Sequence, residues 1–138
     1  IITKQNPHLF ATLPLLPDAK GLIAGLTQLR DKGQIKLSIL TAIPDEWYHD
    51  AVMRKVSTQD KINWVTRHFQ KIPPQNVLVV RREDKQKYAK AQRAIGRPPA
   101  VLIDDFSKNI REWEMAGGLG ILHTSSMQSL RQLVTYLN

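Results

Sequence analysis

Two adjacent carboxylates, Asp104 and Asp105, close the apolar run Ala100-Val101-Leu102-Ile103 and precede a helix-like segment. A short, wholly apolar run bounded by polar turn residues is the signature of a buried parallel strand. Ligands of open α/β sheets sit beyond the carboxyl ends of such strands. Two acids there repel each other unless a cation offsets them, and Mg2+ is a cation whose preference for carboxylate oxygens suits the pair. Thr41, at the end of the run from Ile35 to Leu40, adds a hydroxyl, with the backbone N–H of Ala42 beside it. Lys85, just past the apolar run Val77 to Val80, adds an ammonium. Gathered on one sheet edge, these groups make up a phosphate site: a hydroxyl and an N–H for phosphate oxygens, an ammonium to neutralise them, and acids to hold Mg2+. Each residue also has a plain structural reading. Asp105 or Ser107 would cap the following helix, Thr41 is simply a good strand residue, and Lys85 lies in a charged run of the kind usually left solvated.

Only a parallel sheet brings residues so far apart in sequence to one edge, and the rhythm of the chain predicts one. Residues 1–16 are expected to be irregular, since Pro7 and Pro14 break regular elements and Pro17 follows. From Asp18 the residues Ala19, Leu22, Ile23, Leu26 and Leu29 recur at three- and four-residue spacing, a helix that Gly33 ends. A strand over Ile35 to Thr41 follows. Helical segments are expected over residues 45–55 and from Thr58 to Phe69. Thr58 would cap the second of these, Ile62, Val65 and Phe69 would face inward, and Pro73-Pro74 would stop it. Then come a strand over Asn76 to Val80, a short helix around Gln86 to Arg93, and the Ala100 strand. A helix bearing Ile110, Trp113 and Met115 ends at Gly117-Gly118, a strand covers Leu119 to His123, and a terminal helix starts at Thr124-Ser125-Ser126. Trp64 and Trp113 fall at helical spacing with other apolar residues and are expected in the core. The class is three-layer α/β/α, Rossmann-like, with a mostly parallel sheet. It forms a single domain over residues 1–138, of which 17–138 are the α/β core.

Composition narrows the partners. The 20 Lys and Arg against 12 Asp and Glu leave a net charge of +8, which favours anions: nucleotides, phosphate esters or nucleic acid. Hydrophobic content of 42% is that of an ordinary globular protein, and no apolar run nears the ~20 residues of a membrane span. The absence of cysteine excludes disulfides, thiolate metal sites and a cysteine nucleophile, and suits a reducing, cytoplasmic setting.

Taken together, Ile39-Leu40-Thr41-Ala42, the lysine after the next strand, and Leu102-Ile103-Asp104-Asp105 resemble motifs II, III and IV of the haloacid dehalogenase-like phosphohydrolases. Within them the chain is similar to the 5'(3')-deoxyribonucleotidase branch, especially its bacterial and phage-like members. Phe10 to Ala19, Lys61-Ile62-Asn63-Trp64-Val65, Asn109-Ile110 with Trp113, and Gly117 to Ser125 carry that likeness, which extends from about Leu9 to Ser125. The resemblance implies that Thr41 binds phosphate, that Lys85 stabilises it with Lys87 as a rival, and that Lys61 is a second phosphate-facing lysine. It also implies that Asp104 and Asp105 hold or orient Mg2+. Asn109 is read as pinning the loop after the acids.

One motif of the family is missing. Its first strand ends in Asp-x-Asp, whose first Asp is the nucleophile and whose second is the general acid/base; the chain contains no Asp-x-Asp. The resemblance begins downstream of that strand, so residues 1–16 read as a lead-in from the cap region. The family places the first strand between the Thr41 and Asp104 strands, and an empty slot there would leave two buried strand edges unpaired. Residues upstream of Ile1, a complementing protein segment, or a rearranged sheet would have to repair it. A truncated or split protein is favoured over a pseudoenzyme, because the other motif residues are intact. The expected function is a Mg2+-dependent phosphohydrolase domain acting on (deoxy)nucleoside monophosphates once a nucleophile is supplied. The cap that reads base and sugar is expected mostly in the missing segment. The rival is a non-catalytic relative binding nucleic acid or a protein through Arg81, Arg82, Lys85, Lys87, Lys90, Arg93 and Arg97.

Overall fold

A computed structural model of the chain describes residues 6–12 and 18–138. Its elements run β1 (His8–Ala11), α1 (Asp18–Asp31), β2 (Lys36–Ala42), α2 (Asp45–Tyr48), α3 (Ala51–His68), β3 (Val77–Val80), α4 (Lys87–Ala94), β4 (Val101–Asp104), α5 (Ser107–Met115), β5 (Leu119–Leu122) and α6 (Ser126–Leu137). The strands form one all-parallel sheet in the order β3-β2-β1-β4-β5, with helices on both faces, as the alternation predicts.

The main departure from expectation is β1. His8 to Ala11 lie within a stretch expected to be irregular, yet they form the central strand, paired from His8↔Lys36 to Ala11↔Ile39 on one side and from Leu9↔Val101 to Ala11↔Ile103 on the other. The slot expected to need a strand from elsewhere is held by the chain's own residues. Pro7 precedes the strand and so takes no donor out of the ladder. Leu9, Phe10 and Ala11 are almost wholly buried, because a central strand must be apolar on both faces. Of the expected lead-in, residues 1–5 and 13–16 lie outside those described, as does residue 17.

Strand alternation sorts the core into two clusters. Leu9, Ala11, Leu37, Ile39, Val101 and Ile103 pack under α1, α3 and α6; Phe10, Leu40 and Leu102 pack under α4 and α5. In α1 the buried stripe is Ala19, Leu22, Ile23 and Leu26, and Gly33 follows with φ of 75°. In α5 Trp113 is fully buried, as expected, and donates from Nε1 to Ala100 O at 2.9 Å. Gly118 gives that indole its room, since a Cβ there would lie 2.1 Å from Nε1.

Helix boundaries differ in two places. The two segments expected over 45–55 and 58–69 resolve into short α2 and one long α3. Its cap is Asp50, which accepts from Val52 N at 3.0 Å and Met53 N at 2.9 Å, rather than Thr58. Nor does Asp105 or Ser107 cap α5: Phe106 stands at that position with no side-chain cap bond. Trp64, expected in the core, is 40% exposed on α3, stacked on His68 and set edge-on to Phe69.

His8 opens the central strand stacked on Phe10 and hydrogen-bonded to Ser38 Oγ at 2.8 Å. Burial, with the charges of Lys36 and Arg97, pushes its pKa from 6.5 down to about 4. An unfolded chain therefore binds more protons at this residue between those values, and folding stability falls as pH drops through that window. Chemical denaturation should show stability level above pH 6.5 and declining from 6.5 to about 4, with His8→Gln flattening the decline. A variant with an unchanged slope would assign the pH dependence to another group.

Candidate functional site

In a sheet of this order the crevice lies where the crossovers change direction, between β1 and β4. Thr12 leaves β1 there and Asp104 ends β4 beside it. Lys85, just past β3, reaches in from the α4 side; its Nζ donates to Thr12 Oγ1 at 2.8 Å and Asp104 Oδ2 at 3.0 Å. Asn109 Nδ2 donates to the same Oδ2 at 2.9 Å, and Phe106 N to Oδ1 at 2.9 Å. The single proton of the Thr12 hydroxyl has two acceptors at 2.9 Å, Leu40 O and Asp104 Oδ2. Asn109 is held in turn by Arg82, whose Nη1 donates to Oδ1 at 2.9 Å and pairs with Glu112 at 3.2 Å. The expectation that Asn109 pins the loop after the acids thus has a direct geometry.

Asp104 and Lys85 form a buried ion pair, with side-chain exposures of 1% and 5%. Burial pushes the Asp104 carboxyl up, but the Lys85 charge and the bonds from Phe106, Lys85 and Asn109 outweigh it and hold it below the usual carboxylate range. Of the two lysines read as rivals, Lys85 is enclosed at the strand edge, whereas Lys87 is 69% exposed and pairs with Asp84.

As arranged, these residues do not fit a magnesium ion. Oδ2 of Asp104 already meets three donors and its charge is balanced by Lys85. Asp105 is exposed and makes no hydrogen bond or ion pair among the described residues. No group of three or more metal-ligating side chains occurs among the described residues.

Thr41, Ala42 and Lys61 come together elsewhere on the same edge. Thr41 follows Ile39 on the α3 face of the sheet, opposite the face that carries Asp104. The end of β2, α2 and one side of α3 border an open cavity of about 570 Å3 lined by Thr41, Ala42 and Lys61. Ile43, Pro44 and Val65 give it an apolar floor, Trp47 and Trp64 its rings, and Ser57 and Asp60 further polar groups. Thr41 makes no side-chain bond to Lys85 or Asp104. The groups expected to converge are therefore split into a closed charge cluster on one face and an open cavity on the other.

Of the basic residues proposed as a surface, Arg81 pairs with Asp45, Glu83 and Asp84, Arg82 with Glu112, Lys85 with Asp104 and Lys87 with Asp84. Lys90, Arg93 and Arg97 remain without an ion pair among the described residues.

Two features had no reading in the sequence. Thr12 is one, since nothing local marks a threonine before a proline-rich stretch as a strand end beside an acid and a lysine. The other is Asp18, His123 and Ser129. His123 bonds Asp18 through Nε2 and Ser129 Oγ at 2.7 Å through Nδ1, while Ser126 N and Oγ donate to Asp18 Oδ1 at 3.1 and 2.8 Å. The bond to His123, then that to Ser126, holds Asp18 below its ordinary pKa. The residue types match a hydrolytic triad, but Ser129 lies on the buried face of α6 and is 1% exposed, so no substrate reaches it. The cluster latches the start of α1 to the start of α6.

Residues 3–132 match the profile of the family described as 5' nucleotidase, deoxy (pyrimidine), cytosolic type C protein. No curated protein matches the chain. No helix among the described residues is long and apolar enough to cross a membrane.

Removing one member of a buried ion pair strands the other. Lys85→Met should cost ~3–5 kcal/mol in chemical denaturation, and adding Asp104→Asn should recover most of it. Equal losses in the single and double variants would mean that packing, not charge pairing, holds this cluster.

Proposed function

The chain belongs to the 5' nucleotidase, deoxy (pyrimidine), cytosolic type C family, nucleotidases of haloacid dehalogenase-like fold, and on that premise we propose that it is the phosphate-binding part of a phosphohydrolase for (deoxy)nucleoside monophosphates. The observation that carries the proposal is the cavity that Thr41, Ala42 and Lys61 share at the carboxyl edge of a parallel sheet. A phosphate monoester dianion there meets the Lys61 ammonium, the Thr41 hydroxyl and the Ala42 backbone N–H. Such donors stabilise the extra charge of a phosphoryl-transfer transition state. Lys85 serves from the opposite face, as the cation that keeps Asp104 ionised.

Attack on phosphorus needs a nucleophile, and the chain has no Asp-x-Asp to supply one. In the position where the family carries that motif, the central strand ends in Thr12. The proposed activity therefore requires an Asp-x-Asp strand from upstream of Ile1 or from a complementing segment, and that strand would compete with β1 for the slot between β2 and β4. The same acids would join Asp104 and Asp105 as ligands, since those two alone do not make a magnesium site. Mg2+ would supply charge neutralisation at the phosphoryl oxygens. A cytoplasmic setting, where nucleoside monophosphates and Mg2+ both occur, accords with the cysteine-free composition.

Phosphate release from a panel of deoxynucleoside monophosphates tests this reading. The chain as given should release none. The chain supplied with an Asp-x-Asp strand should release phosphate only with Mg2+, and Asp104→Asn should reduce that at least 100-fold. Mg2+-independent release, or none from the supplemented chain, would overturn it.

A further inference from the structure

The polar lining of the cavity is free to bind. Ser57 is 93% buried, at 7% exposure, yet its hydroxyl makes no hydrogen bond among the described residues, and neither do the side chains of Thr41, Asp60 and Lys61. Among the described residues no buried side-chain polar atom lacks a partner, so the unengaged Ser57 hydroxyl reaches the open space of the cavity, where solvent or a ligand meets it. The volume of about 570 Å3 falls within the ~300–1,000 Å3 of small-molecule sites. Two indoles frame it, at 42% exposure for Trp47 and 40% for Trp64. Trp64 already has a ring stacked on it, His68 at 4.4 Å, and Phe69 at its edge. Trp47 has no ring or cationic partner among the described residues, which leaves a large π-face uncommitted.

We propose that Trp47 is a stacking platform for a flat heteroaromatic ring, so that residues of this chain, and not only a separate cap, tell ring-bearing phosphate monoesters from ring-free ones. The proposal rests on reading Thr41 and Lys61 as the phosphate contact. With phosphate held there, the ring of a nucleoside monophosphate extends over the apolar floor of Ile43 and Pro44 toward Trp47. Asp60 accepts and Ser57 donates or accepts along its polar edge or from the sugar hydroxyl. Stacking on one aromatic side chain tolerates any base, so this contact selects for the presence of a ring rather than its identity.

Titration calorimetry with inorganic phosphate, 2-deoxyribose 5-phosphate and thymidine 5'-monophosphate tests it on the chain as given. The nucleotide should bind about 5- to 150-fold tighter than the sugar phosphate. Trp47→Ala should abolish that advantage while leaving the affinity for the sugar phosphate unchanged, and Trp47→Phe should keep most of it. Equal affinities for nucleotide and sugar phosphate, or a ratio untouched by Trp47→Ala, would overturn the stacking role while phosphate binding stands. Failure of all three probes to bind, or affinities unaffected by Lys61→Ala, would instead overturn the phosphate reading and the stacking role with it.

Discussion

The constraint on which the rest of the structure depends is the slot between β2 and β4. Every N–H and C=O facing that slot lies between two layers of helices, out of reach of water, and an unpaired backbone group there is costly. β1 satisfies both neighbours at once. Its four residues contribute little length, but they join two half-sheets into one and supply Leu9 to one core and Phe10 to the other. The crossover positions of α1, α4 and α5 follow, because each helix covers the strands it connects.

The same slot governs the chemistry at its end. Thr12 emerges where a carboxylate would face both Lys85 and Asp104, and in its place a neutral hydroxyl completes their hydrogen bonding. With one acid and one ammonium the cluster is already balanced, so it has no spare charge for a divalent ion, and Oδ2 of Asp104 is already taken up by three donors. A buried pair of this kind contributes little net stability, but breaking it is expensive. On the other face the balance is opposite. Thr41, Ser57, Asp60 and Lys61 line open space without engaging one another, and they are accessible enough that water satisfies them until something better arrives. One half of the edge is closed by its own charges, and the other keeps its polar groups open to solvent.

The elements with strong periodicity were legible. α1, β2, β4 and α6 follow directly from apolar spacing and from capping or glycine signals at their ends. Less legible was anything decided by competition between partners. Asp50 and Thr58 are both good caps by type; Asp50 wins because the chain turns at His49, and Thr58 lies mid-helix. Trp64 carries the same apolar label as Trp113, yet only Trp113 has a carbonyl to receive its N–H and a glycine to make room for it. β1 is not legible because the apolar run Leu9 to Ala11 after a proline is too short to mark a strand by itself, and it becomes one only between the two neighbours that pair with it.

By itself, then, the sequence determined the layered α/β class, the placement of Thr41, Lys85 and Asp104 at strand ends, and the absence of an attacking Asp-x-Asp. These are properties of local pattern and of residue type. Only the tertiary structure decided that His8–Ala11 closes the sheet, that Lys85 spends its charge on Asp104, and that Thr41, Lys61 and Trp47 line a separate cavity. Alternation along a strand assigns each side chain to a face, but which face meets which helix, and which charge meets which, depends on strand order. That order is set by backbone pairing among residues about 30 to 90 positions apart.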